Sequence, residues 1–473
     1  MNKNFGLIVL LVFTGLTSAS ENNKYNVLFI AVDDLRPELG CYGVSHAQSP
    51  NIDAFAKEAC LFDRHYVQVP TCGASRYSLL TGRSPLKSSA LNNAAAYQGK
   101  TKLKTGLNTA QTFPEMFKRS GYKTACIGKI SHSPDGRIFS YSGKGDGQHE
   151  LPNTWDELPT PFGKWQRGWG TFFAYEGGRH REDGQGNKDL MEFTAKKDTD
   201  LPDGMMAETA IQQLRKWKDK RFFIGLGFYK PHLPLVATKK DWDAFEGVDI
   251  PNPVNTVKPQ SSNWHKSGEF YKYNAPFKKG IPLKQDALTK SRRAYLACVR
   301  YVDRQIGKVL KELKVLGLDK NTIVVIWGDH GWFLGDMQTW GKHSAFEEAN
   351  RSVFIIKTPG NKPQRSSALV ESLDIFPTLA ELCQPKDKAL SHSLDGKSLK
   401  SLIEGKSQSV RQAARSYWKK KVSIRTNTHR LIIDNNGNNA ELYKMDSVYT
   451  DGNNIAKENP ELIQKIKELW IKE

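Results

Sequence analysis

The stretch Cys72-Gly73-Ala74-Ser75-Arg76-Tyr77-Ser78-Leu79-Leu80-Thr81-Gly82-Arg83 holds the side chain best suited to attack an electrophile. A small reactive residue stands in a Gly/Ala/Ser-rich bend, and an arginine follows four residues later. Such a run reads as a strand or loop feeding the N-terminus of a short helix. There, unpaired N–H groups favour an anion and Arg76 can reach back toward position 72. Two acidic turns accompany it. Asp33-Asp34 follows the apolar run at 25–32, and Trp327-Gly328-Asp329-His330-Gly331-Trp332 closes another. Adjacent carboxylates repel unless a cation sits between them, and an oxygen-dominated set suits Ca2+ or Mg2+ rather than zinc. Three further segments place Lys or His after strand-like runs: Gly128-Lys129-Ile130-Ser131-His132, Tyr229-Lys230-Pro231-His232-Leu233-Pro234 and Trp340-Gly341-Lys342-His343, the last leading to Glu347 and Arg351. Histidine titrates near working pH and can serve as acid or base. Each segment alone also has a plain structural reading: a buried cysteine in a capping turn, solvated aspartates, or satisfied polar groups at strand ends.

The elements that must position these residues follow from hydrophobic pattern. Apolar, β-prone runs at 25–32, 122–127, 222–228, 321–327 and 353–357 read as buried strands. Helical patterns cover 49–58, 112–120, 207–218 and 292–316, the last with Leu296, Val299, Val302, Ile306, Val309, Leu310 and Leu313 on one face. Alternating strands and helices predict a mostly parallel sheet covered on both faces. Ligands of such sheets bind beyond the carboxyl ends of the strands, where all the segments above lie. Residues 133–203 and 235–285 break the rhythm with Gly, Pro, Lys and aromatics, including Trp155, Phe172, Phe173, Tyr175 and Trp264. Long irregular loops in an enzyme tend to be functional. Beyond 394–399 the pattern becomes antiparallel strands at 416–434 and 440–445 and a closing helix at 460–472, a small C-terminal α+β subdomain.

The 473 residues are 38% hydrophobic and 10% aromatic, the composition of a folded chain and not a disordered one. Lys and Arg number 69 against 50 Asp and Glu, a net charge of +19 that concentrates polyanions near the surface. Nucleic acid is not the expected partner, because no zinc-finger spacing, basic heptad helix or RNP-like run is present. Residues 1–20 read as a signal peptide: Lys3, an apolar core at 7–13 and the small residues Thr17-Ser18-Ala19. No later run is long and apolar enough for a transmembrane helix. An exported protein, periplasmic or secreted, is expected. The six cysteines show no C-x-x-C pair or metal-ligand spacing, so no disulfide framework is expected.

The run from Cys72 matches the C-x-A/P-x-R…L-T-G-R signature, and the chain resembles the type I, formylglycine-dependent sulfatases. Its closest likeness is to the iduronate-2-sulfatase-like subgroup. That likeness rests on Ala31-Val32-Asp33-Asp34-Leu35-Arg36-Pro37, the Gly-Lys-x-x-His and Lys-Pro-His-x-Pro segments, and Gly328-Asp329-His330-Gly331-Trp332. Position 74 is Ala where Pro is commoner, and Asp451-Gly452-Asn453-Asn454 replaces a more usual Asp-Pro-x-Glu far from the chemistry.

The resemblance implies an alkaline-phosphatase-like α/β fold, with a catalytic domain at 21–408 and the subdomain at 409–473. It implies Cys72 converted to formylglycine by a maturation enzyme, and Ca2+, with Mg2+ second, held by Asp33, Asp34, residue 72, Asp329 and His330. Arg76, Lys129 and Lys342 would supply fixed positive charge, His232 the general acid and His132 the base. The expected substrate is a sulfated saccharide, uronic acid-containing or algal. Trp165, Arg167, Trp169, His180, Arg181 and Trp340 are its candidate contacts, since aromatics stack on sugar rings and basic groups meet sulfates. Three other readings remain open: a phosphodiesterase or phosphonate monoester hydrolase of the same fold, a non-catalytic polyanion-binding protein, and a hydrolase using the Cys72 thiol directly.

Overall fold

Strand β1 (Asn26–Val32) runs through the middle of an eight-stranded sheet and is buried along its whole length. The computed structural model that shows this describes residues 25–259, 261, 267–279, 281–446, 449–450 and 452–472. The leader read at 1–20, Trp264 and Asp451 lie outside the described residues. Both faces of β1 are covered because its alternate side chains enter different apolar clusters. Leu28, Ile30 and Val32 join one, and Val27, Phe29 and Ala31 the other.

The sheet is completed by β2 (Cys60–Tyr66), β3 (Lys123–Gly128), β4 (Phe222–Phe228), β5 (Thr322–Gly328), β6 (Arg351–Ser352), β7 (Phe354–Lys357) and β8 (Gln364–Glu371). Its order is β6-β2-β7-β5-β1-β4-β3, with β8 also on β2. The run β3-β4-β1-β5 is parallel throughout, and β7 turns antiparallel between β5 and β2. The mostly parallel α/β architecture expected from the sequence is present. Strands β2 and β8 were not anticipated: both carry charged or polar residues at partly exposed positions, which breaks the apolar run.

Helices α1 (Pro50–Ala56), α2 (Cys72–Thr81), α3 (Phe113–Arg119), α4 (Pro202–Lys216), α5 (Gln285–Val315) and α6 (Ile375–Cys383) flank the sheet. Proline sits in the first turn of α1, α3 and α4, where its missing N–H costs nothing. Thr112 caps α3 through its hydroxyl, 3.4 Å from the Glu115 N–H. Helix α5 begins at Gln285, ahead of the expected residue 292, because its first turns lie at the surface and show no apolar stripe.

The irregular stretch at 133–203 is anchored to the core by its aromatics. Trp169, Phe172, Phe173 and Tyr175 enter the same apolar cluster as Leu28 of β1. Strands β9 (Ala414–Trp418), β10 (Lys421–Arg425), β11 (His429–Asp434), β12 (Glu441–Asp446) and β13 (Tyr449–Thr450) form an antiparallel sheet beneath α7 (Pro460–Lys472). Buried ion pairs tie this sheet to the large one. Glu347 meets Arg425 at 3.3 Å and Arg430 more closely, and it accepts from the Tyr66 hydroxyl at 2.9 Å. All six cysteines are free.

Candidate active site

Cys72 is the first residue of α2 and follows Thr71 in extended backbone. Gly73 is required by close approach: a Cβ there would lie 2.3 Å from the Asn93 backbone. The Asn93 side chain instead accepts from the Gly73 N–H at 2.9 Å and the Thr71 hydroxyl at 3.1 Å, fixing the start of the helix. Strand β1 delivers Asp33 and Asp34, and β5 delivers Asp329 and His330. The two turns are stitched together by the Asp34 N–H, which donates to Asp329 Oδ1 at 2.9 Å.

These side chains converge on one buried point. Cys72 Sγ lies 3.5 Å from Asp33 Oδ1, 3.3 Å from His330 Nε2 and 3.3 Å from Lys342 Nζ. His330 Nε2 is 3.4 Å from Asp34 Oδ1 and 3.5 Å from Asp329 Oδ1. His330 Nδ1–H donates to the Gly331 carbonyl at 3.0 Å, so Nε2 carries the lone pair and faces the carboxylate oxygens. Acceptors aimed at one another in this way call for a cation between them. Asp34 Oδ2 is buried without a hydrogen bond, with His232 Nε2 standing 3.8 Å away. Asp33, Cys72, Asp329 and His330 offer atoms within 4.8 Å of one another, as do Asp33, Asp34, Cys72 and His232. The set is oxygen-rich and fits a hard divalent cation.

Basic groups ring the cluster. Arg76 Nε donates to Asp329 Oδ2 at 3.0 Å, and its Nη1 donates to the Lys129 and Ile130 carbonyls. Lys129 Nζ pairs with Asp33 and sits 4.2 Å above the Phe172 ring centre. Gly128, at φ +74° in the left-handed region, turns the chain out of β3 just before it. Lys342 Nζ is 2.8 Å from Asp34 Oδ1. His232 leans on Phe172 at 4.5 Å and donates Nδ1–H to the Leu233 carbonyl at 2.7 Å. His132 is held by Glu150, which accepts its backbone N–H at 3.2 Å, and its ring meets Trp169 at 5.5 Å.

Charge and burial set the protonation states. Burial acts to raise Asp33, but Lys129, His232, Arg76 and Lys342 outweigh it and hold the carboxyl well below its usual range. Asp34 is raised well above that range by burial and the Asp33 charge, against the pull of Lys342. The Cys72 thiol is pushed up to about 12 by burial, with Asp33 adding. Burial holds both His132 and His232 well below 6.5; Lys129 lowers His132 further and Lys342 lowers His232 further. Both imidazoles are therefore neutral and able to take a proton.

The structure places Asp33, Asp34, Cys72, Arg76, Lys129, His232, Asp329, His330 and Lys342 in one buried cluster, with His132 beside it. The six candidate saccharide contacts divide. Arg181 lies over the Phe173 ring and reaches Tyr273 Oη at 3.3 Å, and Trp169 backs His132. Arg167 is spent on the Ser142 and Glu182 carbonyls, and the half-buried His180 donates its backbone N–H to Asp183 Oδ2 at 3.3 Å. Trp165 is buried with its indole N–H on the Tyr175 and Arg179 carbonyls, at the wall of a separate cavity of about 530 Å3. Trp340 packs on Phe270 and Phe277 and faces a separate cavity of about 270 Å3.

Other neighbours of the site were not singled out as site residues by the sequence. Glu269 stands 3.5 Å from Lys342 Nζ. His343, beside Lys342, stacks on Trp418 of β9 at 4.9 Å, which brings the C-terminal sheet to the site. Tyr141, 39% exposed, caps Trp169 edge-on at 4.5 Å.

A buried cluster of carboxylates able to hold a cation, a helix-borne residue at its centre and a ring of ammonium and imidazole groups at strand ends fit a hydrolase of anionic esters on an alkaline-phosphatase-like sheet. The model of the sulfatase family matches residues 25–384, and the chain belongs to that family. It is a sulfuric ester hydrolase. It is 30% identical over 405 residues to human iduronate 2-sulfatase, covering 80% of this chain and 69% of that protein. A sulfatase of Formosa agariphila is 32% identical over 387 residues, with 76% and 70% covered. Among solved structures, the phosphonate monoester hydrolase of Agrobacterium radiobacter superposes with a TM-score of 0.76 at 19% identity, covering 95% of each chain. That last likeness concerns the fold alone.

Proposed function

We propose that this sulfatase removes sulfate from a sulfated saccharide, uronic acid-containing or algal, using formylglycine made from Cys72 and one Ca2+ held by Asp33, Asp34, Asp329, His330 and residue 72. The observation that carries the reading is the place of Cys72 Sγ, 3.3–3.5 Å from Asp33, His330 and Lys342 at the head of α2. Relatives named for iduronate and N-acetylglucosamine sulfate esters support the saccharide class. When present, Ca2+ would supply positive charge beside the nucleophile, and the hydrated aldehyde of residue 72 the attacking hydroxyl that a thiol lacks.

The chain's own residues do the rest. Arg76 is locked by Asp329 and two carbonyls, so its charge stays fixed where negative charge accumulates. Lys129 and Lys342 approach from different loops and meet the remaining sulfate oxygens. An entering anionic ester raises the proton affinity of His232, whose Nε2 is free to take a proton and pass it to the leaving oxygen. His132, neutral with Nδ1 unbonded, accepts the proton released when sulfate departs. Phe172 and Trp169 exclude water behind both histidines. A sulfatase-maturing enzyme and export to the periplasm or beyond belong to the same proposal. Among the described residues no helix is long and apolar enough to cross a membrane.

The test is peptide mass analysis of Cys72 in protein co-expressed with a maturation enzyme, alongside chromogenic sulfate and phosphate esters. The expected result is conversion of Cys72 to the aldehyde, sulfate turnover well above phosphate turnover, and loss of both in Cys72→Ala. An active protein with an intact thiol would establish the direct-thiol reading. Preference for phosphate would establish the phosphodiesterase or phosphonate reading. Matured protein that binds polyanions without turnover would leave a binding protein.

A further inference from the structure

Between Asp63 and Glu115 the chain carries no aspartate or glutamate at all, yet it carries Arg64, Arg76, Arg83, Lys87, Lys100, Lys102 and Lys104. Arg76 belongs to the catalytic cluster. Arg83 and the lysines at 87, 100, 102 and 104 line a surface groove of about 490 Å3 at the far end of α2, with His392 closing it and no carboxylate in its wall. Lys87 is paired with Asp395, whereas Arg83, Lys100, Lys102 and Lys104 have no ion pair among the described residues.

The loop that carries the lysines is held rigidly. The Leu103 side chain is buried and its N–H donates to the Ala96 carbonyl at 2.9 Å. Gln111 accepts from the Lys104 N–H at 3.0 Å and donates to the Lys104 carbonyl at 2.6 Å. Thr101 donates to the Ala95 carbonyl at 2.9 Å. Unpaired like charges fixed around a concave surface repel one another and focus a positive potential into it. That arrangement is complementary to a multiply charged anion.

We infer that this groove is a second glycan-binding site, which holds a sulfated stretch of the polymer while another stretch reaches the catalytic cluster. The inference rests on the saccharide reading above. Helix α2 separates the two places: Cys72 stands at its first residue and Thr81, in the groove wall, at its last. At ~1.5 Å per residue that is about 14 Å, too far for one sulfate to serve both. The groove volume falls in the range of saccharide-sized sites, ~300–1,000 Å3. Its remaining lining is rich in hydroxyls, Ser88, Ser89, Thr101 and Ser391, which suits sugar. The one aromatic there, Tyr77, is buried and offers no face for a nucleic-acid base. A polymer anchored in the groove raises the local concentration of its other sulfates at the active site.

The test compares heparin binding by two triple variants in a Cys72→Ala background, where turnover plays no part. One is Lys100→Gln, Lys102→Gln and Lys104→Gln. The other, Lys123→Gln, Lys218→Gln and Lys220→Gln, removes the same charge from exposed lysines elsewhere. The groove triple is expected to bind heparin about tenfold more weakly and the control less than about threefold. With Cys72 intact and matured, both triples should hydrolyse a small chromogenic sulfate ester like the parent. Equal weakening in the two triples, or none, would overturn the site. So would a larger loss for a single-stranded oligonucleotide than for heparin. Failure of the parent to hydrolyse any sulfate ester would instead strike the proposed function and leave the binding result standing.

Discussion

His65 on β2 has both ring nitrogens engaged in its neutral form. Nδ1–H donates to the Ser352 carbonyl at 3.3 Å, and Nε2 accepts from the Ser372 hydroxyl at 2.9 Å, which in turn accepts from the Trp327 indole at 3.1 Å. Burial lowers its pKa from 6.5 to about 4. Below 6.5 the unfolded chain takes a proton that the folded chain refuses, so stability falls as pH drops from 6.5 toward 4. Between pH 7 and pH 5 this one residue is expected to account for about 2 kcal/mol of lost stability. Urea unfolding at the two pH values checks it: His65→Gln should shrink the difference by that amount, and an unchanged difference would refute the assignment. Nothing in the sequence around His65 marks it, because its partners come from residues nearly 300 positions away. The catalytic side chains were legible for the opposite reason. Asp33, Lys129, His232 and Asp329 each follow a strong apolar run, and such runs in the parallel strands end at one edge, whereas Cys72 was marked only by its own run of residues. Trp165 carried no cue to its burial, because an aromatic in an irregular loop packs inward as readily as it binds.

At the scale of elements, Glu347 bolts the antiparallel sheet to the large one by accepting from Arg425, Arg430 and Tyr66 within a fully buried patch. Removing the carboxylate leaves two buried guanidinium groups uncompensated, which costs about 3–5 kcal/mol. Glu347→Ala is expected to lower unfolding free energy by that much in denaturant titration; a loss below about 1 kcal/mol would show that the bolt is dispensable. The helices and central strands were legible because periodicity survives where both faces are buried. Strands β2 and β8 were not, since they are defined by pairing with each other and with β7, far apart in sequence. The stacking of Trp418 on His343 was hidden for the same reason: it depends on how β9 docks, and no local pattern encodes docking.

For the whole molecule, the carboxylate pocket is the junction at which β1, β5 and α2 meet. A cation that binds only the folded chain stabilises all three together, by about 2.7 kcal/mol when present at a hundred times its Kd. Chelation is therefore expected to lower the melting temperature, and Ca2+ to restore it more effectively than Mg2+. A melting temperature indifferent to both would argue against the metal site. The burial of Cys72 carries a further consequence, one of timing. Cys72 is 3% exposed and packed among Asp33, His330 and Lys342, and the backbone on either side is already committed to an extended cap residue and a helix. On the proposed formylglycine chemistry, a maturation enzyme would have to reach that segment while it is extended and accessible. The conversion would then precede closure of the sheet, so protein that folds first is expected to stay inert, and supplying the maturation enzyme afterwards would be no remedy.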